Sequence, residues 1–396
     1  MRKVYLDNAS TTSLLPEVRE AMLPFLNEYY GNPSCIHEWG DAPREAIEEA
    51  RSSVARLIGA DNSEEIIFTS GGTESNNFAV KGIALVNQAK GKHIVVSAVE
   101  HFSVLYSGKT LEKLGFEMTV VPVDKNGAVN PEDVKKAIRK DTVLVSVMHA
   151  NGEVGTIEPI AEIAKITRAE NIVFHTDAVA SAGTIPINVK ELGVDLLSLS
   201  GNQFYGPKGI GALWVRRGVR IMPYLDGGVQ EGGRRAGTEN IPGIVGLGKA
   251  AEIAREKMAE RIEYLTPLRD RLIKELPVKI PHSIVTGHPT DRLPGHASFC
   301  VEFIEGEAML MLLNSQGVGV TSGSACTSRA LKASHVLIAM GLDHAVAQGS
   351  LLFSFGIDNT KEDTDYILEV LPPIVERLRQ MSPLWDKYLK SGKGGK

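Results

Sequence analysis

Thr69-Ser70-Gly71-Gly72-Thr73-Glu74 follows a β-branched run and opens a helical pattern. Two glycines let the backbone approach a ligand closely, and the free N–H groups of a helix start suit a phosphate. Taken alone, the same residues read equally as a plain strand-to-helix connection. Asp177 closes an apolar run in His175-Thr176-Asp177-Ala178. Strand C-termini are where open α/β sheets bind ligands, and a capping aspartate is the alternative. His101 follows Glu100 just past another such run, and from these residues alone a solvated loop histidine is the better reading. Cys326 lies in Ser322-Gly323-Ser324-Ala325-Cys326-Thr327-Ser328. That small, polar stretch is no core sequence, and it suits a nucleophilic thiol. Cys300 sits in an apolar run and reads as packing; Cys35 carries no chemistry either.

The elements that must position these groups are legible from patterning. Candidate strands fall at 65–69, 93–97, 118–122, 142–148, 172–177, 196–200 and 210–215. Amphipathic stretches lie between them at 43–58, 74–89, 104–114, 132–138 and 160–170. Asn130-Pro131 supplies a capping residue and then proline at a first helical position. The alternation predicts a mostly parallel sheet with helices on both faces, and the near-continuous apolar strands fit a sheet buried on both sides. After about residue 241 the pattern changes to a long helix (244–275), a strand (297–301), a helix (307–316), a strand (350–355) and a long helix (361–389). The expected division is an arm at 1–15, a large α/β unit at 16–245, a smaller α+β unit at 246–390 carrying the Cys326 loop, and a loose tail at 391–396.

The 396 residues are 43% hydrophobic and 23% charged, which is ordinary for a globular chain and excludes disorder. Lysine plus arginine number 43 against 48 acids, so there is no basic excess to neutralise a nucleic-acid backbone. Apolar runs are far shorter than the roughly 20 residues a membrane span needs. Three cysteines make no disulfide framework, and no basic-then-apolar leader pattern opens the chain, so a cytoplasmic location is expected.

Order and spacing join these signals. Asp7-Asn8-Ala9-Ser10-Thr11-Thr12, Gly31-Asn32-Pro33-Ser34, the Gly-Gly-Thr turn, Glu100-His101, His149-Ala150-Asn151, Asp177, Gly206-Pro207-Lys208-Gly209, Gly237-Thr238-Glu239-Asn240 and the Cys326 segment occur in sequence. Together they resemble the cysteine desulfurases of the NifS/IscS type, a branch of the fold-type I pyridoxal-phosphate (PLP) enzymes, over essentially the whole chain. The resemblance implies a fold-type I PLP-transferase: a mostly parallel seven-stranded sheet sandwiched by helices, with a smaller α+β domain. It also implies a homodimer that moves sulfur from L-cysteine onto a loop cysteine and then to an acceptor such as an IscU-like scaffold. By the same resemblance, Gly72, Thr73 and Ser200 hold the cofactor, with Thr238 gripping its phosphate from the neighbouring subunit. His101 stacks on its ring, Asp177 pairs with the ring nitrogen, Asn151 sits near its phenolic oxygen, and Cys326 carries sulfur.

Five positions depart from the family pattern. Where it has a histidine and the lysine that forms the imine bond with the cofactor, this chain has Asn202 and Gln203, ahead of Tyr205-Gly206-Pro207-Lys208-Gly209. A glutamine amide is not nucleophilic and cannot shuttle a substrate proton. The glutamine expected three residues after the ring-pairing aspartate is Ala180, and the arginine that binds the substrate carboxylate is Leu352. Gly152 replaces the second asparagine of an Asn-Asn-Glu motif. Lys208 matches a different lysine of the motif and does not restore the site.

These departures predict a homologue in iron–sulfur cluster assembly that lacks normal lysine-based desulfuration. It would dock an IscU-like scaffold, with Cys326 as persulfide carrier or as a metal ligand to a shared [2Fe-2S] cluster, and its PLP would be non-covalent or absent. The alternatives are an active L-cysteine desulfurase using non-covalent PLP, a different PLP-type reaction on the same scaffold, and a vestigial subunit that only stabilises a partner.

Overall fold

The computed structural model describes residues 2–323 and 333–391. Cys326 lies outside the described residues, as does all of the 391–396 tail except Ser391. Twelve strands are described: β1 (Val4–Tyr5), β2 (Ile66–Thr69), β3 (His93–Ser97), β4 (Glu117–Val121), β5 (Thr142–Ser146), β6 (Val173–Asp177), β7 (Leu196–Ser200), β8 (Gly211–Val215), β9 (Ser283–Thr286), β10 (His296–Val301), β11 (Val318–Gly319) and β12 (Ser350–Ser354).

The central sheet has seven strands in the order β2-β8-β7-β6-β5-β3-β4. β7 through β4 run parallel, and β8 is antiparallel to both its neighbours. Strands β3, β5, β7 and β8 are buried along their whole length, as helices on both faces require. One apolar layer holds Phe68, Val145, Phe174, Leu197 and Leu199 against the helices Asp41–Leu57 and Ile241–Lys279. The opposite layer packs Ile67, Ile94, Leu144 and Leu213 against Phe78 and Ile83 of the helix Gly72–Val86.

A three-stranded antiparallel sheet, β12-β10-β9, builds a separate apolar cluster of Phe299, Phe353, Leu272, Leu313 and Ile367. Val4 and Leu6 belong to this cluster too, so the start of the N-terminal arm packs with the C-terminal elements. The helix Ile241–Lys279 spans 39 residues, with its first half in the large core and Leu265, Leu268 and Leu272 in the second. The single helix expected over 361–389 is two. Lys361–Gln380 ends at Met381, and Ser382 accepts from the Trp385 amide to cap Pro383–Lys390, with proline in its first turn. Among the described residues no helix is long and apolar enough to cross a membrane.

Candidate active site

The C-terminal ends of β2, β3, β5, β6 and β7 bring the sequence motifs to one edge of the sheet. The site spans the switch point where β4 lies to one side of β3, and β5, β6 and β7 lie to the other. Gly71, in a left-handed conformation (φ 147°), ends the turn after β2, and Gly72 begins a 15-residue helix. Glu74 reaches back to accept from the Ser70 amide (2.9 Å) and pairs with Arg235 (2.9 Å), so the turn is braced without use of the amides of Gly72 and Thr73. Among the described residues those two N–H groups have no acceptor. A Cβ on Gly72 would lie 2.4 Å from Cγ2 of Val179, so only glycine fits there. Ser200 stands beside Gly71 and donates to the Asn202 side chain (2.6 Å).

Asp177 is buried at the end of β6. Its Oδ1 accepts from the Val179 amide (2.9 Å) and its Oδ2 from Asn76 Nδ2 (2.6 Å). Burial raises its pKa, against the lowering effects of the Val179 amide, His101 and Asn76. Asn76 also donates to Ser103 Oγ (2.8 Å), which lies 2.7 Å from His101 Nδ1. The Ser103 amide donates to that same Nδ1 (3.1 Å), making it an acceptor, so the proton of a neutral His101 sits on Nε2. A polar chain thus links Asp177 to His101. Asn76 Oδ1, buried in the middle of it, has no partner. No motif marks Asn76 or Ser103 in the sequence. Asn76 sits one helical turn beyond Gly72, and that spacing is the only signal that could have found it.

Glu100 supports this edge from behind. Its Oε1 accepts from Ser97 Oγ (2.6 Å) and the Met148 amide (2.7 Å), and its carbonyl accepts from His335 Nε2 (3.0 Å). Burial pushes its carboxyl well above the usual range, and the nearby Asp177 and Glu158 carboxylates add to the shift. Asn151 is buried with its side chain fully used. Its oxygen accepts from the amides of Glu153 and Val154, and its nitrogen donates to the Val99 carbonyl (3.1 Å). Glu153 packs against both flanks of the 324–332 segment: it accepts from Ser334 Oγ (2.7 Å), and a Cβ on Gly323 would collide with its carboxylate.

The two amides that follow β7 hold the N-terminal arm. Gln203 Nε2 donates to the Ala9 carbonyl (3.0 Å) and, more weakly, to that of Ser10 (3.4 Å). The Asn202 carbonyl accepts from the amide (2.9 Å) and hydroxyl (3.0 Å) of Thr12, whose Oγ1 accepts from the Tyr205 amide (2.8 Å). Lys208 is exposed and donates to the Thr12 carbonyl (3.4 Å). Ala180 faces Gly152. Leu352 is buried at the centre of β12, opposite Ser298 of β10, with its backbone tied to Thr321. Thr238 is exposed, lining a cavity of about 170 Å³ with Thr69, Ser70 and Gly209. A neighbouring cavity, about 770 Å³, lies around Arg51, Arg217 and Glu231, and shares Glu231 and Glu239 with the Thr238 cavity. Among the described residues no group of three or more His, Cys, Asp or Glu is placed to hold a metal ion.

These groups fit PLP in two of its three attachments. Unpartnered helix-start amides beside a glycine that admits no side chain suit the phosphate, and a buried carboxylate held by Asn76 and an amide suits a protonated ring nitrogen. At position 203 an amide stands in place of an amine.

The chain matches the class-V aminotransferase family over residues 4–367. It is 55% identical to "Cysteine desulfurase IscS" of Dictyoglomus turgidum over 387 residues, covering 98% of both chains. It is 54% identical to "Cysteine desulfurase IscS" of Methanosarcina thermophila over 390 residues, covering 98% of this chain and 96% of that one. Among solved structures, a "NIFS-LIKE PROTEIN" superposes with a TM-score of 0.89 at 37% identity, covering 95% of this chain and all of the other. With a fold, a site edge and a full-length sequence match that agree, this chain belongs to the PLP-dependent class-V aminotransferase family and, within it, to the cysteine desulfurases of the IscS/NifS type.

Proposed function

We propose that this chain is an IscS-type sulfur-handling protein that does not attach its cofactor through a lysine. In this reading it is a dimeric partner of an IscU-like scaffold, with Cys326 as persulfide carrier or as a thiolate ligand completing a [2Fe-2S] cluster held mostly by the partner. The observation that carries the reading is Gln203: its amide has no nucleophilic nitrogen and is bonded to the Ala9 carbonyl. Lys208, the nearest lysine in sequence, is exposed and bonded to Thr12, so it offers no substitute. Leu352 supplies no cation for a substrate carboxylate. Gly72, Thr73, Ser200 and, from a second subunit, Thr238 would hold the PLP phosphate, while Asp177 and His101 would hold its ring. When bound, PLP supplies an electron sink; Asn76 and Ser103 keep Asp177 and His101 aligned toward it. We keep the division into units 16–245 and 246–390 as part of this reading, with the helix Ile241–Lys279 shared between them.

For a cluster completed by Cys326 the bridging sulfur would come from sulfide, whereas a persulfide on Cys326 would take sulfur already at the sulfane level, passed from the persulfide of a donor whose thiolate leaves. Mixing the protein with an IscU-like scaffold, iron and sulfide is expected to give a visible-absorbing cluster whose yield drops in Cys326→Ala. Equal yields from the two proteins would refute the reading.

The unbroken Asp177–Asn76–Ser103–His101 chain favours a second reading, an L-cysteine desulfurase working with non-covalent PLP. That reading requires alanine release from L-cysteine, with PLP added, above a control without protein.

A further inference from the structure

Beneath Gln203 and Ala180, where the large sheet meets the small one, lies a cavity of about 50 Å³. It is lined by Arg261 of the long helix, His296 at the start of β10, Tyr205 and Ser354, among others, and no Asp or Glu is among its lining residues. Two polar groups in its wall are unpartnered. Nη1 of Arg261 is buried without an acceptor, while the guanidinium lies over the Tyr205 ring, 4.9 Å from its centroid. His296 is 8% exposed, and neither ring nitrogen makes a hydrogen bond of good geometry, the Gly152 backbone being its polar neighbour.

Arg261 is half-buried, with one N–H buried and unbonded and no carboxylate in the cavity itself. Leaving such a donor unmade costs about 1–3 kcal/mol, more for a charged group. The surroundings reinforce the sign. Arg292 and Arg269 act on His296, and burial with their charges holds its pKa down at about 4, so it is neutral near pH 7. Glu17 and Glu260 act on Arg261 only from a distance, without a hydrogen bond. The volume sets the size: at roughly 10–15 Å³ per water, the cavity has room for about three to five heavy atoms. One guanidinium beside a neutral imidazole matches a single negative charge, with Arg261 as the charged donor and the one N–H of a neutral His296 as the second.

We propose that the Arg261–His296 cavity is a binding site for a compact monoanion, either hydrosulfide or a short carboxylate such as formate or acetate. It is separate from the Gly72 phosphate cradle and from Leu352, and it stands whether or not Cys326 handles sulfur.

The test uses full-length protein with ring-labelled histidine, followed by NMR, with the His296 signal assigned through its loss in His296→Asn. Formate, acetate and hydrosulfide are titrated separately, and calorimetry is run in parallel. At least one of the three is expected to bind saturably near pH 7.5, where each is mainly anionic, and to shift the His296 ring signals. Arg261→Gln is expected to weaken binding by about tenfold or more, and Arg261→Lys, which keeps the charge, by less. Saturation by hydrosulfide alone would assign the site to a sulfur donor, and saturation by the carboxylates alone to an organic acid. A His296 signal unmoved by all three, or binding unchanged in Arg261→Gln, would overturn the proposal.

Discussion

A methyl group on Gly72 would press into Val179, which itself donates its amide to Asp177. One substitution therefore reaches both ends of the cofactor site. Gly72→Ala is expected to cost about 1–3 kcal/mol of stability, as overpacking does. It is also expected to lower PLP affinity by about tenfold or more, measured by fluorescence titration. Unchanged affinity would mean that the phosphate is held elsewhere. Gln203 and Leu352 are residue-level statements of a different kind. Each removes a functional group without disturbing the fold, because the amide finds the Ala9 carbonyl and the leucine is buried within β12. For that reason the chain keeps the architecture of its relatives while lacking the amine.

At the scale of elements, the N-terminal arm and the segment after β7 form a single stitched unit. Thr12 donates to the Asn202 carbonyl and accepts from the Tyr205 amide, and Leu15 donates to the Tyr205 carbonyl. Tyr205 is held in the left-handed region (φ 68°), a strained conformation that persists only when its neighbours fix it. Thr12→Val leaves the buried Tyr205 amide unsatisfied, at a cost of about 1–3 kcal/mol. Hydrogen exchange at residues 9–15 and 202–206 is expected to accelerate together in that variant. Faster exchange in the arm alone would contradict the stitch. Much of this level was legible beforehand: β3 and β7 fall at the expected 93–97 and 196–200, because strands buried on both faces read as near-continuous apolar runs. The two-residue strands β1 and β11 were not legible, since pairing between distant segments leaves no local pattern. The break at Met381–Ser382 was missed although Ser382-Pro383 is a helix-start signal, because apolar periodicity continues across it. Asn76, Ser103, Arg261 and His296 carry no motif. They meet only through tertiary packing, so the sequence could not single them out.

At the scale of the whole molecule, buried titratable groups set opposing pH dependences. Burial lifts Glu153 to about 7 and Glu158 to about 8, so the folded chain holds protons there that the unfolded chain has released. Their contribution is intact below the ordinary carboxylate value and is lost as pH rises toward 8. His149 and His296, at about 4, and His175, at about 3, work the other way. They are neutral when folded, so stability is lost as pH falls below the ordinary histidine value of 6.5. At 6.5 the unfolded histidines are still half protonated, so the two contributions oppose each other until roughly a pH unit higher. Unfolding free energy from urea titrations is expected to fall by about 1–2 kcal/mol between pH 6.5 and 8.5, the carboxyl loss outweighing the remaining histidine gain. Glu158→Gln, whose amide oxygen can still accept from the Val129 amide, is expected to remove most of that slope. A slope equal to that of the unsubstituted protein would show that Glu158 is ionised throughout.

All of this turns on what stands at position 203, and one measurement addresses it directly. Protein saturated with PLP is reduced with borohydride, digested and mapped by mass spectrometry. The expected result is the absence of a stoichiometric pyridoxyl adduct on any peptide, with the cofactor lost on dialysis. A one-to-one adduct on any side-chain nitrogen, Lys208 included, would contradict the assignment and reopen ordinary lysine-based desulfuration.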